Sequence, residues 1–255
     1  MLLLSVVTPT FNPGPYLAHT LDSVSRLVTK HEHLVIDGGS TDGTVELLRH
    51  HDDDALTWIS EPDRGQTDAV NKGLSRARGD LVIWINGDDE VAPDGIDAAV
   101  AYLAAEPECQ AVYGGLDFTD AEGAVQRSYL PGPWSFRRYL FLGDYVPTPT
   151  IVFRRARAQA VGALDEQWVD AADYDFYLRL MHGVRVDRLE RTHVRFRYHA
   201  DSKSARNVWK QQDEALEIRL RWARNARDRA VMLGFDRLKR AVLPPLTRGR
   251  WPAPY

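Results

Sequence analysis

Residues Leu81 to Ile85 form an unbroken apolar run, and two adjacent carboxylates, Asp88 and Asp89, follow it almost at once. A run with β-branched and aromatic members fits a strand covered on both faces, as in the middle of an α/β sheet. No other stretch constrains the fold as much, because open α/β sheets bind ligands beyond the carboxyl ends of their strands, where this acidic pair falls. Adjacent carboxylates repel one another, and a hard divalent cation with oxygen ligands is one way to hold them together. A plain β-turn is the other reading, since Asn86-Gly87-Asp88-Asp89 is also good turn composition.

The same unit is repeated upstream. Leu2 to Thr8 reads as a strand, Pro9 to Gly14 as its loop, and Leu17, Leu21, Val24 and Leu27 recur at helical spacing from Tyr16 onward. His33 to Ile36 is a second strand. It is closed by the glycine-rich stretch Asp37 to Thr44, where the backbone can approach a ligand closely, and a helix starts at Thr44. Leu56 to Ser60 is a third strand, Glu61 to Asp68 its loop, and Ala69 to Arg78 the next helix. These strands should run parallel, so that the polar loops open on one edge of the sheet. The glycine-rich loop lacks the G-x-G-x-x-G order, which argues against an NAD-dependent oxidoreductase.

With 255 residues, 44% hydrophobic and 27% charged, the chain fits one α/β domain with a large core plus an extension. A net charge of -4 gives no reason to expect nucleic acid as a partner. Cys109 stands alone, so no intrachain disulfide can form and no oxidising compartment is needed. Met1 to Val7 is apolar but lacks a basic flank, and Thr8-Pro9-Thr10 cuts it too short for a signal peptide or membrane span. The expected location is therefore cytoplasmic, with the inner membrane face as the one peripheral alternative.

Four segments carry a resemblance. Val6 to Asn12 (VVTPTFN), Val35 to Thr44 (VIDGGSTDGT), Ser60 to Gly73 (SEPDRGQTDAVNKG) and Gly79 to Asp89 (GDLVIWINGDD) together resemble a family 2 glycosyltransferase of the GT-A fold. They stand in the right order and cover the first half of the chain nearly continuously. The resemblance implies a nucleoside-diphosphate sugar donor, with UDP, dTDP and GDP all open, and a divalent cation, Mn²⁺ or Mg²⁺. It implies that Pro9 and Phe11 line the base pocket and that Asp37 accepts a hydrogen bond from the base. It places Asp68 and Lys72 near the nucleotide, Asp88 on the ribose and Asp89 on the metal. Read without it, Asp37 is a turn or helix N-terminal aspartate and Lys72 sits on a solvated helix face.

Beyond Asp89 the sequence predicts a helix over Gly95 to Ala105, a short strand at Ala111 to Tyr113 and a hairpin near Ala121 to Gly123. Trp134, Phe136, Tyr139, Phe141 and Tyr145 lie on a Pro- and Gly-containing segment. They either form an apolar wall for a sugar or acceptor or pack under a surface loop. A strand over Thr150 to Phe153 and a helical stretch to Gly162 follow. In Trp168 to Leu180, Asp173 falls at a helix start, where a carboxylate is stabilised by the dipole. The resemblance makes it the general base, with Asp170 and Asp175 as rivals; Ala172 stands where the family often has a second acid. After an expected strand at Val194 to Tyr198, His199 to Ser204 resembles the family's His-x-x-Ser-Lys segment, which implies that His199 reaches the metal or diphosphate. Ser202, Lys203 and Ser204 could lie on a loop that closes over the donor.

Asn207 to Leu233 reads as one long helix, followed by a basic tail with Arg237, Lys239, Arg240, Arg248 and Arg250. Such a tail can pack on its own domain, on a second subunit in a homodimer, or on an anionic membrane. The expected organisation is a catalytic domain over 1–205, its donor half about 1–115 and its acceptor half about 116–205, with a C-terminal amphipathic helix and tail over 206–255. The expected activity is an inverting, metal-assisted glycosyl transfer, hexosyltransferase-like, to a saccharide, lipid-linked or small-molecule hydroxyl. A nucleotidyltransferase and a non-catalytic nucleotide-sugar-binding protein are the rivals. The first should carry a basic loop near the N-terminus, and Thr8 to Tyr16 has no Lys or Arg.

Overall fold

The computed structural model describes residues 1–51, 53–199 and 208–242. Strands β1 (Leu4–Thr10), β2 (His31–Asp37), β3 (Leu56–Ser60) and β4 (Leu81–Trp84) alternate with helices α1 (Tyr16–Ser25), α2 (Thr44–His50) and α3 (Gln66–Arg76). They lie in the order β3-β2-β1-β4, each pair parallel, so their loops open on one edge as expected. The apolar residues of β4 are buried on both faces.

The second half turns this open sheet into a mixed one. It contributes β5 (Glu90–Val91), α4 (Pro93–Ala105), β6 (Cys109–Thr119), β7 (Val125–Tyr129), α5 (Phe136–Leu142), β8 (Ile151–Arg154), α6 (Arg155–Val161), α7 (Ala172–Met181) and β9 (Arg185–Arg197). β8 is antiparallel to both β4 and β6, while β9 runs parallel to β6 and pairs with β5 at the far edge. The described chain closes with α8 (Val208–Arg221) and α9 (Ala226–Val242).

Two expectations are corrected, and one left open between two readings is decided. The strand expected at Ala111 to Tyr113 is the long β6. Gly114 and Gly115 interrupt the β pattern because β9 comes very close there, and a Cβ on Gly114 would lie 2.4 Å from the Arg191 carbonyl oxygen. The aromatic segment is not a wall of the site but mostly core. It folds into α5, Tyr139 is fully buried, and Phe136 packs on His182 and Trp222; only Tyr145 reaches the cavity described below. The single long C-terminal helix is two helices, broken where Asn225 caps α9 by accepting the Asp228 N–H at 2.9 Å.

Two apolar layers sandwich the sheet. One side joins β1, β4 and β6 to α4 through residues such as Leu4, Ile83, Val100 and Val112. The other joins Val7, Val82 and Tyr113 to α5, α7, α8 and α9, with Ile218 and Met232 as fully integrated members. Among the described residues no helix is long and apolar enough to cross a membrane.

Candidate active site

The loops at the carboxyl ends of β1 to β4 open into a cavity of about 1310 Å³. The β1–α1 and β2–α2 loops are braced against each other. Asn12, with φ of 46°, accepts the Thr41 N–H at 2.8 Å and donates its own N–H to Ser40 Oγ at 2.7 Å, while Gly14 N–H donates to Asp42 at 2.8 Å. Pro9 and Phe11 line the cavity, and Phe11 is 64% exposed.

Asp37 does not face the cavity. Its carboxylate is fully buried and accepts hydrogen bonds from the Gly39 and Ser40 N–H groups, the Ser40 hydroxyl and the Ser60 hydroxyl, which together shape the loop. The carboxylate that does line this end is Asp63, which the sequence reading passed over. Its Oδ2 lies 2.6 Å from where a Cβ on Gly38 would be, so it occupies space that only a glycine at 38 leaves open.

Asp68 and Lys72 are also set back from the cavity. Asp68 pairs with Arg64 at 2.9 Å and Lys72 at 3.4 Å, and Lys72 pairs with Glu61 at 2.9 Å. The Arg64 hydrogen bond is the main reason that the Asp68 carboxyl lies below the usual carboxylate range. This network buttresses the start of α3, whose Gln66, Thr67 and Ala69 reach the cavity.

The acidic pair after β4 divides between the interior and the cavity. Asp89, expected on the metal, is fully buried, takes the Arg197 N–H on Oδ1 at 2.9 Å and meets the Asn86 side-chain amide at 3.3 Å. Burial first, and Asp88 second, push its carboxyl well above the usual range. Asp88 faces the cavity, and its Oδ2 lies 3.1 Å from His199 Nε2. Successive residues of a turn point different ways, so one carboxylate serves the fold and its neighbour serves the cavity. Arg197, unforeseen from the sequence, anchors both. Its buried guanidinium bonds the Asp88 carbonyl and Glu90 and lies 5.1 Å from the centre of the Tyr16 ring.

Across the cavity stands Asp173, in the first turn of α7. Its Oδ2 accepts the Thr148 hydroxyl at 3.1 Å and its Oδ1 the Tyr174 N–H at 2.8 Å, which fixes the plane of the carboxylate. Of its rivals, Asp175 is tied to Arg179 at 2.9 Å and does not line the cavity, while Asp170 is buried and ion-paired with Lys210 at 3.1 Å. The far wall comes from Asp144 and from α8 and α9, through Trp209, Gln212 and Lys239. Ser202, Lys203 and Ser204 and the tail residues Arg248 and Arg250 lie outside the described residues.

Over residues 5–165 the chain matches the family model described as Glycosyl transferase family 2. It is 34% identical over 180 residues to an uncharacterized glycosyltransferase of Mycobacterium tuberculosis, a span covering 69% of this chain and 68% of that protein. Among solved structures, S. aureus TarS 1-349 in complex with UDP-GlcNAc superposes with a TM-score of 0.70 at 15% identity, covering 95% of this chain and 73% of that one. The mannosyltransferase PcManGT from Pyrobaculum calidifontis, in complex with GDP-Man and Mn²⁺, gives 0.65 at 22% identity, covering 93% and 70%. At these identities the likeness to the two structures is one of fold.

Proposed function

The chain belongs to glycosyl transferase family 2 and is a GT-A-fold glycosyltransferase of the EC 2.4 class, and on that premise we propose that it transfers a sugar from a nucleoside diphosphate to an acceptor hydroxyl, with inversion and with the help of a divalent cation. One observation carries the reading. A single cavity brings together a braced end at Pro9, Phe11 and Asp63, the Asp88–His199 contact, and the fixed carboxylate of Asp173. The nucleotide sugars bound by the two solved neighbours support such a donor, with UDP, dTDP and GDP as candidates.

In this reading Pro9 and Phe11 flank the base and Asp63 accepts its imino hydrogen, while Asp37 holds the loop in shape. Asp88 and His199 suit a cation. They present an oxygen and a nitrogen donor 3.1 Å apart at the cavity surface, and Asp89, buried on the Arg197 N–H, does not. Among the described residues no cluster of three or more acidic, His or Cys side chains could hold a metal by itself. Bound there, Mn²⁺ or Mg²⁺ supplies Lewis-acid stabilisation of the charge that appears on the departing nucleoside diphosphate.

Asp173 takes the proton of the acceptor hydroxyl as its oxygen bonds to the sugar C1 and the bond from C1 to the phosphate oxygen breaks. Attack opposite the leaving group inverts the anomeric centre. Thr148 and the Tyr174 N–H keep the carboxylate aimed while the proton moves. Calorimetry with UDP, dTDP and GDP, each with Mn²⁺ and again with EDTA, tests the reading. Metal-dependent binding of one of them is expected, and no binding under either condition would overturn it.

A further inference from the structure

Helix α9 presents two different faces. Asp228, Met232, Asp236 and Lys239 recur at helical spacing and face the protein. Met232 is fully buried there, and both aspartates are turned inward and paired, Asp228 with Arg224 at 3.1 Å and Asp236 with Arg240 at 2.7 Å. Val231, Gly234, Phe235 and Leu238 recur at the same spacing on another side, where the three apolar side chains stay exposed, Leu238 at 57%. A Cβ on Gly234 would meet nothing within 4 Å, so among the described residues nothing covers the middle of this row.

We propose that this outer face of α9 docks on a membrane and that its partner is a layer of anionic lipid headgroups. The charge pattern carries the inference. Every exposed charged side chain of α9 is an arginine, Arg227, Arg229, Arg237 and Arg240, although the whole chain has a net charge of -4. Arg227 lies one turn before Val231 and Arg237 one turn after Gly234, so guanidinium groups border the apolar row. Arg137 on α5 is within electrostatic reach of Asp228 and adds a cation near the start of the helix. A helix built this way lies in the plane of a bilayer surface, with Phe235 and Leu238 in the acyl boundary and the arginines among the phosphates. The arginine stems are themselves apolar and extend the buried strip.

A second copy of the chain fits this face less well. With 17 residues, α9 is about 25 Å long and about 10 Å wide, so its outer face offers roughly 250 Å². A stable interface takes roughly 800 Å² from each partner, and two copies would also bring arginine-bordered faces together. A bilayer sets no such minimum, because each basic side chain near an anionic surface adds its own attraction. Residues 243–255 carry Arg248 and Arg250 and no Asp or Glu, so their charge opposes contact with these arginines and favours the same lipid surface.

Co-sedimentation with vesicles tests the assignment, using phosphatidylglycerol mixed into phosphatidylcholine on one side and phosphatidylcholine alone on the other. The full chain should sediment with the first and stay in solution with the second. Phe235→Ser with Leu238→Ser, and Arg227→Gln with Arg237→Gln, should each weaken vesicle binding by about tenfold or more, with nucleotide binding by calorimetry unchanged. These four side chains are exposed, so the melting temperatures should stay near that of the wild type; Leu238→Gln alone replaces the first pair if it does not fold. Four results would each overturn the proposal. They are absence of binding to the anionic vesicles, equal binding to the neutral ones, wild-type binding by both α9 variants with loss only in Arg248→Gln with Arg250→Gln, and a dimer in sedimentation velocity that disappears in Phe235→Ser with Leu238→Ser. The last two would assign the contact to the tail or to a second copy.

Discussion

The carboxylate of Asp63 fills the space beside Gly38 that any side chain at that position would need, with Oδ2 2.6 Å from the place of the absent Cβ. The obstructing atom is the end of a flexible side chain, so Gly38→Ala should fold and push Asp63 aside. If Asp63 reads the base, both Gly38→Ala and Asp63→Ala should weaken nucleotide binding by roughly 10- to 100-fold, the value of a hydrogen bond to a charged group. The double variant should be little worse than either single one, since both remove the same contact. Calorimetry on the three variants checks this, and full additivity would count against it.

The two aspartates after β4 should separate cleanly. Asp88→Asn is expected to abolish the difference in nucleotide affinity between Mn²⁺ and EDTA while leaving the melting temperature nearly unchanged. Asp89→Ala leaves the Arg197 N–H buried without its acceptor, and should cost about 1–3 kcal/mol in stability. Melting curves with and without Mn²⁺ read both effects. The assignment fails if Asp89→Asn, rather than Asp88→Asn, removes the metal dependence.

Asp173→Asn keeps the shape of the side chain but removes its basicity. Sugar transfer should fall by on the order of 10² to 10⁴, with nucleotide affinity intact. Asp175→Asn should change transfer little and lose only the Arg179 pair at 2.9 Å, worth about 0.2–1 kcal/mol. Rate measurements with saturating donor distinguish the two carboxylates.

Acid should destabilise the fold through two buried imidazoles. Burial holds His33 at about 3, with His31 and His51 adding to the effect, and holds His193 at about 4. An unfolded histidine titrates near 6.5. Both folded-state values are depressed, so the unfolded chain takes up protons below about pH 6.5 that the native state refuses. The stability is complete above that range and falls as the pH drops. At about pH 5 each site should cost roughly 2 kcal/mol. Urea melts of the wild type and of His33→Gln, at about pH 7.5 and pH 5, should show a smaller acid loss in the variant; equal losses would refute the role of His33.

The first four strands and their loops were legible because each one is a compact local signal, an apolar run cut off by polar and glycine residues. β6 was not, since Gly114 and Gly115 answer to the close passage of β9, a partner far away in sequence. The motif residues showed where the site lies but not which of them face it. Asp37 and Asp89 sit in the expected loops yet spend their oxygens on backbone and hydroxyl donors. Asp63 differs from Asp37 in nothing that a sequence displays. Asp144 and Lys239 meet only through the packing of α5 and α9, and no periodicity or spacing marks that meeting.

The core beneath the cavity joins Val7 of β1 to Ile218 of α8 and Met232 of α9. During synthesis the β1 end of that layer emerges long before its partners exist. The parallel strands β1 to β4 can therefore form early, but their inner face stays uncovered until α8 and α9 are made. Strands β1 to β4 are made first and the α8–α9 wall of the cavity last, so the nascent chain passes through a stage that exposes apolar surface and invites chaperone capture.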